Sequence, residues 1–387
     1  MKSNFCIIPW ISITSDNAGL VRPCCKFAEK DVQGEYQTPS LKDYSYEDIW
    51  NGPEMQAIRQ AFLDDKKIPE CSSCWKEEAA GLTSYRNQYN YTFLRQIDPK
   101  DYSTTYAEPP RVVDLKLSNV CNFKCRSCGP RYSSTWVPDA KKLGWIDEQD
   151  KVWNIASVDD LTNFDFLKEQ VEHVEKIYFA GGEPLMMPEH WQILDMLVEH
   201  KRFDVRISYN TNASTLTYGG KNVLDYWRQW EPGKIEVWPS IDEVGERAEL
   251  IRAGTVWSKV EANLKAMMEL DNIIVRPGMT IGAWNVCRLP EIITELIEIG
   301  VIKSKKEFGI NHDNFFINML MDPKHYHVRI LPDNFKQQII KKLENFVVEF
   351  NAKHDTDISS RLSYVLHELT TPFDRESAKE FVFFFQA

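Results

Sequence analysis

Cys121-Asn-Phe-Lys-Cys125-Arg-Ser-Cys128 is the stretch on which the reading of this chain turns. Three thiolates at spacings of four and three can wrap a four-iron cluster and leave its fourth iron without a protein ligand, since a fully ligated cluster takes four. A vacant metal position is a place for a substrate to bind, as at catalytic zinc sites. The spacing by itself leaves a zinc loop open as the alternative. Val112–Leu117, just upstream, reads as a strand. The cysteines therefore follow the carboxyl end of a strand, where parallel α/β barrels build their active sites.

Outward from that loop the pattern repeats. Glu175–Phe179, Val205–Tyr209, Ile235–Ile241, Ile273–Ile281 and Phe315–Leu320 also read as short strands, rich in Val, Ile or aromatic residues. Trp191–His200, Trp257–Leu270 and Pro290–Ile299 read as helices between them. Strands alternating with helices imply right-handed crossovers and a parallel sheet. Six such units are too few for the closed eight-stranded barrel. The expected fold is α/β: a partial, open (β/α)6 TIM barrel over residues 109–330.

Residues 1–108 form a different segment, with short strands, a helix around Tyr46–Lys66 and most of the cysteines; Pro109 and Pro110 mark its end. Residues 331–387 read as a helical carboxy-terminal extension. Phe335, Ile339, Leu343, Phe346 and Phe350 recur there at helical spacing. The apolar Phe381–Phe385 run is expected to dock on the core or at a subunit contact.

The formal net charge of −11 argues against a protein that gains affinity by neutralising phosphates, so nucleic acid is not an expected partner. Lys303–Lys306 is the densest basic stretch and reads as a solvated loop. No apolar run is long enough to cross a bilayer and the amino terminus lacks an export pattern, so cytoplasmic residence without membrane association is the expectation. In a reducing compartment, clustered cysteines hold metal or do redox chemistry rather than form disulfides. Of the nine, Cys6, Cys24, Cys25, Cys71 and Cys74 group near the amino terminus, and Cys287 stands alone as a packing residue.

The three-cysteine spacing resembles that of the radical S-adenosylmethionine (SAM) superfamily, and the likeness continues. Gly181-Gly182-Glu183-Pro184, after the second strand, is similar to the family's motif for the methionine amino group. Adjacent glycines let backbone approach a ligand, Glu183 is an anionic partner and Pro184 fixes the turn. Ser240-Ile-Asp242, read as two lumen-facing polar residues, and the following stretch through Arg252 resemble the region that holds the ribose and the methionine carboxylate. Asn212 sits where relatives present a polar group to the nucleoside. Strand-end turn capping is the structural alternative for Ser240, Asp242 and Asn212, and a surface helix charge for Arg252. One departure stands out: Ser127 replaces the aromatic residue that usually precedes the third cysteine and helps hold the adenine.

Cys6 is followed by twelve residues, Gly19, four residues and Cys24, and later by Cys71-Ser-Ser-Cys74. This, with Glu47-Asp-Ile-Trp50, Pro69-Glu-Cys71 and Glu77–Gly81 around it, resembles the twitch module, the shortened SPASM domain that carries an auxiliary cluster, placed here before the barrel. A four-thiolate structural zinc site is the alternative. Neighbouring thiols in extended backbone face opposite sides, so one of Cys24 and Cys25 faces the metal; the family's glycine spacing selects Cys24.

The resemblance implies two 4Fe-4S clusters and SAM as cofactors, one cluster held by Cys121, Cys125 and Cys128, the auxiliary one by Cys6, Cys24, Cys71 and Cys74. It implies reductive cleavage of SAM to a 5′-deoxyadenosyl radical, hydrogen-atom abstraction from a substrate, and electron transfer through the auxiliary cluster. The chemistry would occur at the first cluster, with no side chain assigned as acid or base. A peptide or protein is the favoured substrate; a sugar or other small molecule is the alternative, and an electron donor such as flavodoxin or ferredoxin is the implied partner. A non-catalytic iron–sulfur or redox-sensing protein stays open as a second class. His325 and His327, two histidines alone, read as an ordinary loop rather than a metal site.

Overall fold

The computed structural model describes residues 3–28, 38–41, 43–79, 81, 83–94, 102–116, 118–146, 168, 170–303, 314–354 and 358–386. Leu117, Ala80, most of the Lys303–Lys306 stretch and the side chains from Phe383 onward lie outside them. Contacts gather the chain into two units that alternate along the sequence. One comprises Met1–Val120, Val137–Ser208 and Gln229–Lys234, the other Cys121–Trp136, Tyr209–Arg228 and Ile235–Ala387. No helix among the described residues is long and apolar enough to cross a membrane.

In the first unit β1 (Ser12–Ser15) and β2 (Val21–Arg22) pair as an antiparallel hairpin. The Asp16 carboxylate makes its turn by accepting the N–H groups of Ala18 (2.9 Å) and Leu20 (3.0 Å). Gly19 takes φ of 79°, a region open to a residue without Cβ. β1 also runs parallel to β3 (Val112–Lys116), with Ser12 opposite Val112, so the amino-terminal segment adds a strand directly beside the first expected barrel strand. All four residues of the Ser-Ile-Thr-Ser strand are buried, as both faces of an interior strand are covered. β3 in turn pairs in parallel with β5 (Lys176–Ala180), and β6 (Arg206–Thr211) follows in the order.

The expected single helix over Tyr46–Lys66 is two, Tyr46–Trp50 and Pro53–Leu63. Pro53 cannot donate to the preceding turn and sits at the first position of the second helix, where no N–H is needed. A Cβ on Gly52 would stand 2.4 Å from the Asp48 carbonyl oxygen. The first helix opens with a capping box between Ser45 and Asp48. Arg59, fully buried, ties the segment together by donating to Pro9 O (3.0 Å), Trp50 O (2.7 Å) and Asn51 Oδ1 (3.1 Å).

In the second unit β4 (Lys124–Cys125) lies within the cysteine loop, and β7 (Thr217–Tyr218) and β8 (Lys221–Asn222) form a small hairpin. β9 (Ile235–Pro239) pairs in parallel with β11 (Ile273–Val275); β10 (Arg252–Ala253) is antiparallel to β4. The expected strand over Ile273–Ile281 breaks in two, because β12 (Gly278–Ile281) leaves β9 and pairs with β13 (Phe316–Met319). Pro277, between them, has no N–H to give a ladder. A mixed α/β fold with mostly parallel strands and carboxy-terminal helices is therefore present.

Helix Asp333–His354 forms where its apolar period placed it, burying Ile339, Leu343 and Phe350. Phe335 is exposed, and Lys336 is buried in its stead, its ammonium bonded to Asp333 (2.7 Å) and to the Thr371 carbonyl. Helices Ser359–Leu369 and Arg375–Gln386 follow, and Phe381 meets the Tyr326 ring edge-on at 6.1 Å.

Candidate functional site

The cysteine loop is built from backbone outward. Ser133 and Thr135 hydroxyls both donate to the Phe123 carbonyl (2.6 and 2.7 Å), and the Trp136 indole donates to the Cys125 carbonyl (2.9 Å). Cys128 N–H bonds back to Cys125 O at 3.1 Å, closing the turn between those two cysteines. Asn212 donates to Asn122 Oδ1 (2.9 Å) and stands 3.7 Å from Cys121 Sγ, while its own Oδ1 accepts from Ser214 N (2.9 Å). The Ser133-Ser-Thr-Trp136 stretch went unread in the sequence; its signal was four hydroxyl or indole donors in a row shortly after a metal-type loop.

Burial pushes the Cys125 thiol up to about 12 and the Cys128 thiol to about 11, with Arg252 drawing both back down. The Arg252 guanidinium donates to Asp242 Oδ2 at 2.9 Å, and its Nε is buried without a hydrogen-bond partner among the described residues. A largely enclosed cation with an unused N–H beside three thiols fits an anionic bound group, such as a carboxylate or a thiolate-ligated cluster. Phe123, Asn212, Ser240, Arg252, Thr255 and Trp257 border one small cavity. Phe123, Thr255 and Trp257 were missed in the sequence; two of them are aromatic, the type absent at Ser127. Asp242 is 1% exposed and wholly engaged, its Oδ1 accepting from Thr280 N (2.8 Å), so it faces the protein rather than an open lumen.

Gly181–Pro184 belongs to the first unit. Gly181 takes φ of 110°, and its added Cβ would lie 2.8 Å from Ser118 O; one on Gly182 would lie 2.1 Å from Val120 O. Gly182 N donates to Ser118 O (2.9 Å) and Glu183 N to Val120 O (2.8 Å). The glycines thus let this turn lie flat on the segment entering the cysteine loop. Glu183 is fully buried and its carboxylate accepts from Leu185 N (3.2 Å), capping the short helix that Pro184 begins.

The same unit carries the amino-terminal thiols. Cys6, Cys24 and Cys74 are buried and Cys71 is half-buried, whereas Cys25 is exposed. Burial raises the Cys6 thiol to about 12 and those of Cys24, Cys71 and Cys74 also upward; Cys6, Cys24 and Cys74 thiolates each add to the rise at Cys71. Cys25 instead has Asp114, Lys116, Lys26 and Arg22 as its charged neighbours. Four thiols that would repel one another once deprotonated suit a cationic centre. Among the described residues no three such side chains converge as a ready metal cage, so the thiols are grouped by neighbourhood rather than by coordination geometry.

Helix Tyr85–Phe93, which the sequence reading passed over, holds the Cys6 turn: Asn90 accepts from Ile7 N (2.9 Å) and donates to Phe5 O (2.8 Å). Arg86, four residues earlier on the same face, donates to Phe5 O (2.7 Å) and pairs with Glu78 at 2.6 Å. Ala28 N bonds to Glu70 O (2.9 Å), bringing the Cys24 loop to the turn that bears Cys71.

Residues 6–75 match an iron–sulfur cluster-binding domain, SPASM, and residues 115–289 match the radical SAM superfamily. The chain is a radical SAM superfamily member with an amino-terminal SPASM-type module. It is 29% identical, over 29% of its length and 30% of the relative's, to a GTP 3′,8-cyclase of Aliarcobacter butzleri. It is 24% identical, over 70% of its length and 78% of the relative's, to a probable GTP 3′,8-cyclase of Methanococcus maripaludis. The match spans less than a third of the Aliarcobacter protein. Among solved structures, anSMEcpe with bound AdoMet superposes with a TM-score of 0.42 at 17% identity, covering 64% of this chain and 60% of that one. SAM and iron–sulfur binding, expected from the cysteine pattern, is the family's cofactor set. In this radical SAM protein His325 Nδ1 lies 3.7 Å from a Glu380 carboxylate oxygen and His327 Nε2 3.5 Å from one of Glu368, and burial lowers the pKa of both imidazoles.

Proposed function

We propose that this chain is a radical SAM enzyme acting on a small molecule, with Cys121, Cys125 and Cys128 holding the cluster that cleaves SAM and Cys6, Cys24, Cys71 and Cys74 holding an auxiliary cluster. The observation that carries the reading is Arg252, its Nε–H buried and unused, set against a three-thiol loop. A bound cluster would pass an electron to SAM, and that pair would supply the radical chemistry that removes a hydrogen atom from substrate.

The protein's part is binding and orientation. Gly181–Pro184 takes the methionine amino group through backbone and Glu183. Arg252 takes a carboxylate oxygen through Nε–H, Asn212 and Ser240 face the nucleoside, and Phe123 and Trp257 supply the aromatic surface that Ser127 lacks. Four cysteines around the auxiliary cluster leave no iron open, which favours electron transfer there over substrate coordination. Flavodoxin or ferredoxin would supply the electron.

Small molecules now take precedence over the peptide expected from the sequence, because the relatives are named for a reaction of a nucleotide. The test is anaerobic reconstitution with iron and sulfide, then SAM and dithionite. Release of 5′-deoxyadenosine and methionine, abolished in Cys125→Ala, is expected. A fully loaded protein that releases neither would leave only the non-catalytic reading. Deuterium transfer into 5′-deoxyadenosine from labelled GTP or sugars, and not from labelled peptides, is the outcome expected for substrate class.

A further inference from the structure

We propose that the Arg252–Asp242 pair sets the reduction potential of the cluster at Cys121, Cys125 and Cys128, with Asp242 acting through Arg252 as a positioning residue. The inference rests on the cluster reading above and concerns how that cluster is tuned.

Backbone geometry puts the pair there. β10 runs antiparallel to β4 with Arg252 directly opposite Cys125, a placement that brings their Cα atoms to about 5 Å. Arg126 N donates to Ile251 O (3.0 Å), continuing the contact. Gly254 takes φ of 100°, and a Cβ there would stand 2.5 Å from Asn122 O. The segment Ile251–Gly254 therefore lies against the cysteine loop from Asn122 to Arg126, and no bulky side chain separates the two backbones.

Side-chain geometry fixes the charges. The Arg252 guanidinium lies 5.9 Å from the Phe123 ring centre and its Nη1 is 2.9 Å from Asp242 Oδ2; the side chains are 12% and 1% exposed. Asp242 is itself locked, its Oδ1 by Thr280 N (2.8 Å) and its carbonyl by Asn285 Nδ2 (2.7 Å). It has no free oxygen to offer a ligand in this arrangement and a fixed one to offer Arg252. Both charges reach the thiols: Arg252 favours and Asp242 disfavours negative charge at Cys125 and Cys128.

A cluster that gains an electron gains negative charge, so a nearby cation favours its reduction and a nearby anion opposes it. Desolvated charges are weakly screened. The two members of the pair therefore pull the potential in opposite directions, with Arg252 the nearer and Asp242 its partial counterweight.

The experiment is a redox titration of the reconstituted full chain, followed by electron paramagnetic resonance without SAM. The relevant signal is the one that changes when SAM is added afterwards. Asp242→Asn should raise the potential and Arg252→Met should lower it, each by at least tenfold in the reduced-to-oxidised ratio, about 59 mV for one electron. Arg252→Gln combined with Asp242→Asn removes both charges and should return to within half of either shift from the parent value. Opposite signs are the signature, since a merely loop-holding role would move both variants the same way. Unchanged potentials, shifts of one sign, or loss of iron from both single variants and the double variant would overturn the proposal. A parent chain that takes up no iron and sulfide at the three cysteines would instead overturn the cluster reading on which it rests.

Discussion

At Gly182 one hydrogen atom decides whether the turn after β5 can form, because the space a methyl would need holds the Val120 carbonyl oxygen 2.1 Å away. Gly182→Ala is expected to push that turn off the segment entering the cysteine loop. A displacement near 1 Å costs about 100-fold in a positioned reaction. The 5′-deoxyadenosine rate should fall by that order while iron content, measured alongside, stays near the parent's.

His190 shows a different kind of residue-level control. It is fully buried, edge-on to Phe179 at 4.9 Å, and burial holds its imidazole down to about 3. The folded state keeps it neutral while the unfolded chain protonates it below about 6.5, so stability is intact above that pH and declines as pH falls toward 3. Urea midpoints between pH 7 and 5 should fall more steeply for the parent than for His190→Gln; equal slopes would refute the assignment.

At the scale of elements, polar side chains as well as apolar ones join the amino-terminal pieces. Arg59 on helix Pro53–Leu63 satisfies acceptors on three neighbours, and burial lowers its guanidinium to about 10. Arg59→Met takes the guanidinium donors from the Pro9 and Trp50 carbonyls, while Asn51 Oδ1 keeps Ala107 N (2.9 Å), at a cost of about 3 kcal/mol. Urea unfolding of the parent and variant should show it. Helices and parallel strands were legible from period and composition, since apolar spacing reports which face is buried. β1 was not, because Ser12, Thr14 and Ser15 carry no apolar signal and their burial comes from partners contributed by β3. The split of Ile273–Ile281 at Pro277 was visible as a proline, but the change of partner was not. Strand pairing is set by distant chain.

On the scale of the whole molecule, the seven expected ligands fall into two sets that the chain's two units carry separately, Cys6, Cys24, Cys71 and Cys74 in the first and Cys121, Cys125 and Cys128 in the second. Removing one set should leave the other able to load. Cys121→Ala/Cys125→Ala/Cys128→Ala and Cys71→Ala/Cys74→Ala are each expected to retain roughly half of the parent's iron and sulfide, four irons per remaining cluster. Zinc without sulfide in the first variant would show that the amino-terminal set is a structural zinc site. A group that binds only the folded chain stabilises it, so anaerobic chelation should lower the thermal midpoint of the loaded parent.

The sequence by itself determined the α/β character, because apolar period is a local property of a chain, and its cysteine spacing pointed to the class of chemistry only together with the family's other motifs. The family's glycine spacing favours Cys24 over Cys25 as the expected ligand; Cys24 is buried and Cys25 exposed. Only the tertiary structure decided that Asp242 faces Arg252 instead of a lumen, that Arg86 and Asn90 hold the Cys6 turn, and that a hydroxyl-rich stretch caps the cysteine loop. Those roles depend on which donor meets which acceptor across long stretches of chain. Buried polar groups must find such partners, and nothing in the spacing of residues along the sequence says where they will be.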